Sequence, residues 1–175
     1  SFLHEHPGDT KALKQLLMCN VSDAEEYCMR YLDASGGNEM PQPELDETIN
    51  ALLMRSAMTS LAALLRTIAS RRPLTALEHA SYAEALFASG KYRQTIELIE
   101  DEAAFDEIMQ VPLRGTSHIY VCVVSYMKTG CEEQARAILD KVMPFLDSFM
   151  NTAPMPIRMT ARTIYTLADK IRRHP

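Results

Sequence analysis

An all-α fold is predicted for this 175-residue chain, on three observations. Ala, Leu, Met, Glu and Arg recur at three- and four-residue spacing from end to end, the period of a helix face. Period-two alternation of β-branched and aromatic residues, the mark of half-buried strands, is almost absent. Gly36, Gly37, Gly90 and Gly130 stand where the periodic stretches stop, as helix-ending residues do.

A first helix is expected from about Asp9 to Cys19. Ser22-Asp-Ala-Glu25 reads as a capping box, in which hydroxyl and carboxylate satisfy free amides at the next helix start. That helix carries Tyr27, Cys28, Tyr31 and Leu32, and Gly36 and Gly37 end it. Asn38 to Pro43, with two prolines, is the clearest linker. From Glu44 to about Ser70 a broad apolar stripe, including Leu45, Ile49, Leu52, Leu61, Leu64, Leu65 and Ile68, predicts one long helix, with a break near Ser56 or Thr59 left open. Arg71 and Arg72 suit the negative end of its dipole, and Pro73 marks the exit. Thr75-Ala-Leu-Glu78 is a second capping box, opening a helix that ends at Ser89. After Gly90 and Lys91 the pattern resumes with Tyr92, Ile96 and Ile99, which predicts two antiparallel helices on a very short turn. The same layout returns from His118 to Lys128, a turn at Thr129 and Gly130, then Ala135, Ile138, Leu139 and Val142. A last helix is expected over Pro156 to Arg173.

Composition bounds the rest. Hydrophobic residues make up 47 % and charged residues 23 %, so a packed core is expected rather than disorder. The net charge of −5 and pI near 5.5 argue against a chain that coats nucleic acid. Four cysteines are too few for a disulfide scaffold and fit reduced thiols in the cytoplasm. The most apolar stretch, Asn50 to Ser70, is interrupted by Arg55 and Arg66, so no membrane span is expected. The N-terminus has no basic segment followed by an apolar one, so no signal peptide is expected. Residues 1–43 are read as N-terminal helices and linker, and 44–175 as the hairpin domain with its capping helix, in one compact unit.

The hairpins resemble the tetratricopeptide repeat, a 34-residue helix-turn-helix unit. In the first unit Ala83 stands at the small position of helix A, Leu86 at its large position, Gly90 in the turn, Tyr92 at the start of helix B and Ile99 at its large position. In the second, Tyr126, Gly130, Ala135 and Leu139 match. Thr95 and Val123 depart from the usual small residues, neither unit has the closing proline at its usual place, and the interval from Gly90 to Gly130 is longer than one repeat, the excess falling around Asp101 to Gly115. No third unit is read upstream, where Asn50 occupies the turn position. The first hairpin is similar both to bacterial type III secretion chaperones and to repeat subunits of the anaphase-promoting complex. The resemblance implies a short α-solenoid of stacked antiparallel hairpins, closed by capping helices. It also implies a groove lined by helix A: Leu77, Ala80, Glu84 and Phe87 in the first unit, Tyr120, Val124 and Met127, with Ser117, in the second. The lysines and asparagines with which related adaptors hold a C-terminal carboxylate are missing from these places. A partner segment with apolar anchors is therefore expected, as peptide or helix.

Other chemistry is sparse. Cys19 and Cys28, like Cys122 and Cys131, are nine residues apart and face opposite ways on one helix. His118, Cys122 and Cys131 lack a tight Cys-x-x-Cys pair, so a core or surface role is expected rather than zinc. His4-Glu5-His6 reads as incidental polarity. The run Glu97, Glu100, Asp101, Glu102, Asp106 and Glu107 reads as a solvated helix face with its following loop, or else as a receiver for a basic partner. No phosphate loop, nucleophile elbow or His-Glu-x-x-His helix is found. The expectation is a non-catalytic protein-interaction module, an adaptor, chaperone or assembly subunit, without cofactor or metal. A second copy is one way to complete a short array. Two rivals stand beside it: the regulatory part of a larger transcription regulator, favoured by the start at Ser1, and a small helical enzyme or metal-binding protein.

Overall fold

Helix follows the three- and four-residue spacing closely. Among residues 6–36, 40–100 and 102–173, which the computed structural model describes without the side chains of Glu102 and Phe149, there are ten helices and no strand. The expected stop at Gly37, the linker residues Asn38 and Glu39, and His4, Glu5 and Asp101 lie outside the described residues. The chain divides into two compact units, residues 1–89 and 90–175.

The first unit holds α1 (Thr10–Met18), α2 (Ala24–Ala34), α3 (Gln42–Met54), α4 (Met58–Ala69) and α5 (Ala76–Ala88). α4 is its centre and packs against each of the other four. That position explains its composition: Leu61, Leu64 and Leu65 are fully buried, in one core with Leu13 and Leu17 of α1, Tyr31 of α2 and Leu52 of α3. Residues on both sides of the expected 43–44 boundary thus share one core. The Tyr31 hydroxyl lies 2.8 Å from Thr48 Oγ1. Thr48 donates its own proton to the Glu44 carbonyl, which leaves Tyr31 as the donor of the pair.

Two expectations are corrected here. The Ser22–Glu25 capping box does not form: α2 starts at Ala24 with Asp23 as N-cap and no side-chain cap bond. Glu25 then falls one position short of the third helical residue that a capping box requires, and its carboxylate pairs with Arg66 of α4 instead. The single helix expected from Glu44 to Ser70 is two. Ser56 takes a left-handed φ of 53°. Its N–H donates to the Leu53 carbonyl and the Ala57 N–H to the Leu52 carbonyl, both at 3.0 Å, the pair of bonds that closes a Schellman helix end. α4 then packs back against α3. Its first turn is capped from outside: Asn20 Oδ1 accepts from the N–H of Thr59 at 2.9 Å and of Ser60 at 3.2 Å. Asn20 is itself the left-handed residue ending α1, with φ 54°.

The second unit holds α6 (Tyr92–Ile99), α7 (Glu102–Met109), α8 (Pro112–Lys128), α9 (Glu132–Phe149) and α10 (Met155–Arg173). α8 is its centre and packs against α6, α7, α9 and α10. The stretch expected as surplus around Asp101 to Gly115 contains α7, whose Phe105 and Ile108 are buried, and the first turn of α8, which Pro112 opens. Gly115 lies so close to α7 that a Cβ would meet Ile108 O and Met109 Cα, both at 3.2 Å. At the other end of α8, Gly130 has φ 79° and the Cys131 N–H donates to the Tyr126 carbonyl at 2.8 Å, a second Schellman end. α9 continues through Pro144, which lacks the N–H that would reach the Asp140 carbonyl. α10 is fastened to α9 by the Tyr165 hydroxyl donating to the Asp147 carboxylate and by Arg172 to Asp140 at 3.7 Å.

Left-handed bends thus stand at Asn20, Ser56, Gly90 and Gly130. Gly90, with φ 71°, follows α5 and precedes α6. Gly36, also at positive φ, ends α2 as the sequence predicts.

Candidate binding site

In the first unit the Thr75–Glu78 capping box forms as expected, and it has a wider role. Glu78 is 1 % exposed. Its Oε1 and Oε2 accept from Arg72 Nη2 and Nη1 at 2.7 and 2.8 Å, Oε1 accepts from Gln42 Nε2 at 2.9 Å, and Oε2 accepts from the Thr75 N–H at 2.9 Å. Burial works to raise the carboxyl's pKa; the bonds from Arg72, Gln42 and Thr75 outweigh it and hold the group below its usual 4.5. The arrangement ties the start of α3 and the α4–α5 link to α5. With every lone pair engaged inward, it is a structural clasp rather than a site for a ligand.

Four of the expected contact residues lie along α5. Leu77 is 43 % exposed, Glu84 and Phe87 are half-buried, and Ala80, at 4 %, is covered and offers a partner almost nothing. The other four, Ser117, Tyr120, Val124 and Met127, lie one helical turn apart along α8, each half-buried, and so form one stripe. α5 belongs to the first unit and α8 to the second.

The second unit carries a recess of about 290 Å³ that these positions do not include, lined by Ile99 and Glu100 of α6 and its end, Phe105 of α7, Tyr126 of α8 and Ala137, Ile138 and Lys141 of α9. Its walls are apolar and its charges sit at the rim. Lys141 Nζ reaches across the Phe105 ring, 5.0 Å from its centroid, to Asp106 Oδ1 at 2.9 Å. Its positive charge is thereby answered within the rim. Glu97 and Glu100 are both exposed, and neither forms an ion pair among the described residues. Burial first, and then the Glu100 carboxylate, push the Tyr126 phenol above its usual value, so that it stays a neutral hydroxyl at the recess wall. A volume of this order sits at the small end of ligand pockets and suits one or two side chains of a partner. The acidic run was visible in the sequence; Phe105 and Ile108 at three-residue spacing within it were the signal for a packed helix. The closing wall comes from α9, some thirty residues away, and no local pattern announces it.

Behind the recess, His118 is 4 % exposed with its ring 5.8 Å from that of Phe105. Cys122 is fully buried, and burial raises its thiol far above the usual range; Cys28 is likewise pushed up to about 12 by burial first and then by Glu25, with Arg66 acting the other way. Neither is an activated nucleophile. Among the described residues no three His, Cys, Asp or Glu side chains are disposed to hold a metal ion, and no helix is long and apolar enough to cross a membrane. No protein-family model, curated protein or solved structure matches the chain.

Proposed function

We propose that the chain is a tetratricopeptide-like interaction module that acts without catalysis, binding a peptide or helix of a protein partner. The observation that carries this reading is that the helices on either side of the left-handed bends at Asn20 and Ser56 in the first unit, and at Gly130 in the second, pack back against one another, as the helices of hairpin repeats do. The bend at Ser56 adds an upstream hairpin where Asn50 had offered no turn. Rigid hairpins present preformed apolar surface, so that little ordering cost falls on the bound state. The contact residues are Leu77 and Phe87 on α5 in the first unit and, in the second, the stripe Tyr120, Val124 and Met127 on α8 and the recess flanked by Glu100.

The test is capture of cellular partners by the wild-type chain, by a Tyr120→Glu, Met127→Glu variant and by Ile138→Glu, with helicity followed by circular dichroism. Loss of the same captured protein with helicity intact supports the proposal. Undiminished capture by all variants refutes it, and loss of helicity assigns the altered residue to the core.

A further inference from the structure

The outer face of α10 has the chemistry that the recess lacks. At 3.6 residues per turn, Met155, Met159, Arg162, Thr166, Lys170 and Arg173 fall on one stripe, and all six are exposed. The two methionines are 56 % and 62 % exposed, large apolar side chains left in water at consecutive turns. The rest of this face bears three positive charges, on Arg162, Lys170 and Arg173, and one negative, on the exposed Asp169. Tyr165 and Arg172, which hold α10 to α9, lie off this stripe and leave it unobstructed. The recess offers the converse: apolar walls from Ile99, Phe105, Tyr126 and Ile138, with Glu100 in its lining and without an ion pair among the described residues, and Glu97 one turn before it on α6.

We infer that the occupant of the recess is α10 of a second copy of this chain, with Met155 and Met159 lodged between the apolar walls and Arg162 and Lys170 set against Glu97 and Glu100. Methionine suits an open recess because its unbranched thioether adapts to irregular walls. The charges set the direction in which the stripe lies, since only one direction brings the bases over Glu97 and Glu100. The contact pairs unlike surfaces, so it closes as a reciprocal dimer where two such contacts form at once and otherwise grows head to tail. This assignment rests on the interaction-module reading, because it fills the same recess.

Sedimentation velocity on the whole chain from about 1 to about 200 µM tests it, in the range expected of a small interface. The expected result is a weight-average mass that rises with concentration and falls back when salt is raised to about 0.5 M, where the screening length drops several-fold from that at low salt. Two double variants alter residues on opposite sides of the contact: Glu97→Lys with Glu100→Lys, and Arg162→Glu with Lys170→Glu. Each alone is expected to stay monomeric. Their equimolar mixture is expected to associate again, because the lysines introduced in one variant face the glutamates introduced on α10 of the other, and the unaltered α10 of the first faces the unaltered acids of the second.

A monomer at every concentration overturns the assignment. So does association that survives either variant, or a mixture that fails to recover. If the chain is monomeric and Ile138→Glu still abolishes capture of another protein, the recess belongs to that partner: the interaction-module reading stands and the second-copy occupant falls.

Discussion

Replacing Glu78 by Gln removes one charge from the most fully buried acid among the described residues while keeping its shape. Four donors converge on the carboxylate, two from Arg72, one from Gln42 and one from the Thr75 N–H. A glutamine keeps one acceptor oxygen and turns an NH₂ group toward donors. Breaking a buried charge pair costs about 3–5 kcal/mol, but the Arg72 side chain is 33 % exposed and water recovers part of that, so the expected loss at pH 7 is about 2 kcal/mol. Urea unfolding followed by circular dichroism measures it. The sign of the pH dependence follows from the direction of the shift. Glu78 has a lower pKa folded than its unfolded 4.5, so its contribution is complete above 4.5 and is lost as the pH falls through the folded value. The gap between wild type and Glu78→Gln is therefore constant from pH 7 to about 5 and narrows only in more acid solution. A loss under about 0.5 kcal/mol at pH 7 would refute the buried clasp. A gap of the same size at about pH 3 would assign the effect to packing rather than charge.

Two further expectations concern the bends. Asn20→Ala removes the acceptor of two α4 amides and places a residue that disfavours φ 54° there, for a combined loss of about 2 kcal/mol; Asn20→Gly loses the cap alone, about 1 kcal/mol. Hydrogen exchange at Thr59 and Ser60 should quicken in both, and unchanged rates would contradict the cap. Ser56→Gly relieves a left-handed serine that is exposed and is expected to raise stability by about 1 kcal/mol in urea unfolding; a loss of that size would show that the hydroxyl is needed at the bend.

Much of this was legible in the sequence because it is local. The helices follow from apolar spacing, Gly90 and Gly130 are left-handed where the pattern breaks, and Thr75 and Glu78 cap α5 because a capping box needs only four residues. The failures are also local in origin. Only the length of the stretch from Glu44 to Ser70 left a break near Ser56 or Thr59 open, since serine itself is not selected for φ above zero, and Ser22 looks like a cap although the helix starts two residues later. The remainder was hidden by distance along the chain. Gln42 reaches Glu78 across 36 residues and Lys141 reaches Asp106 across 35, and neither pairing leaves a periodic trace. The recess was missed for the same reason.

Pro144 bears on the backbone of the wall that closes that recess. The carbonyl it leaves without a helical donor belongs to Asp140, which adjoins Lys141 on the α9 wall. An uninterrupted ladder of backbone bonds would make the wall stiff along its whole length; a missing rung beside the opening softens it there. The break in the ladder falls beside Lys141, while Ala135 and Leu139 just before it are buried, so the recess end of α9 is the part of the helix with one backbone bond fewer to hold its course.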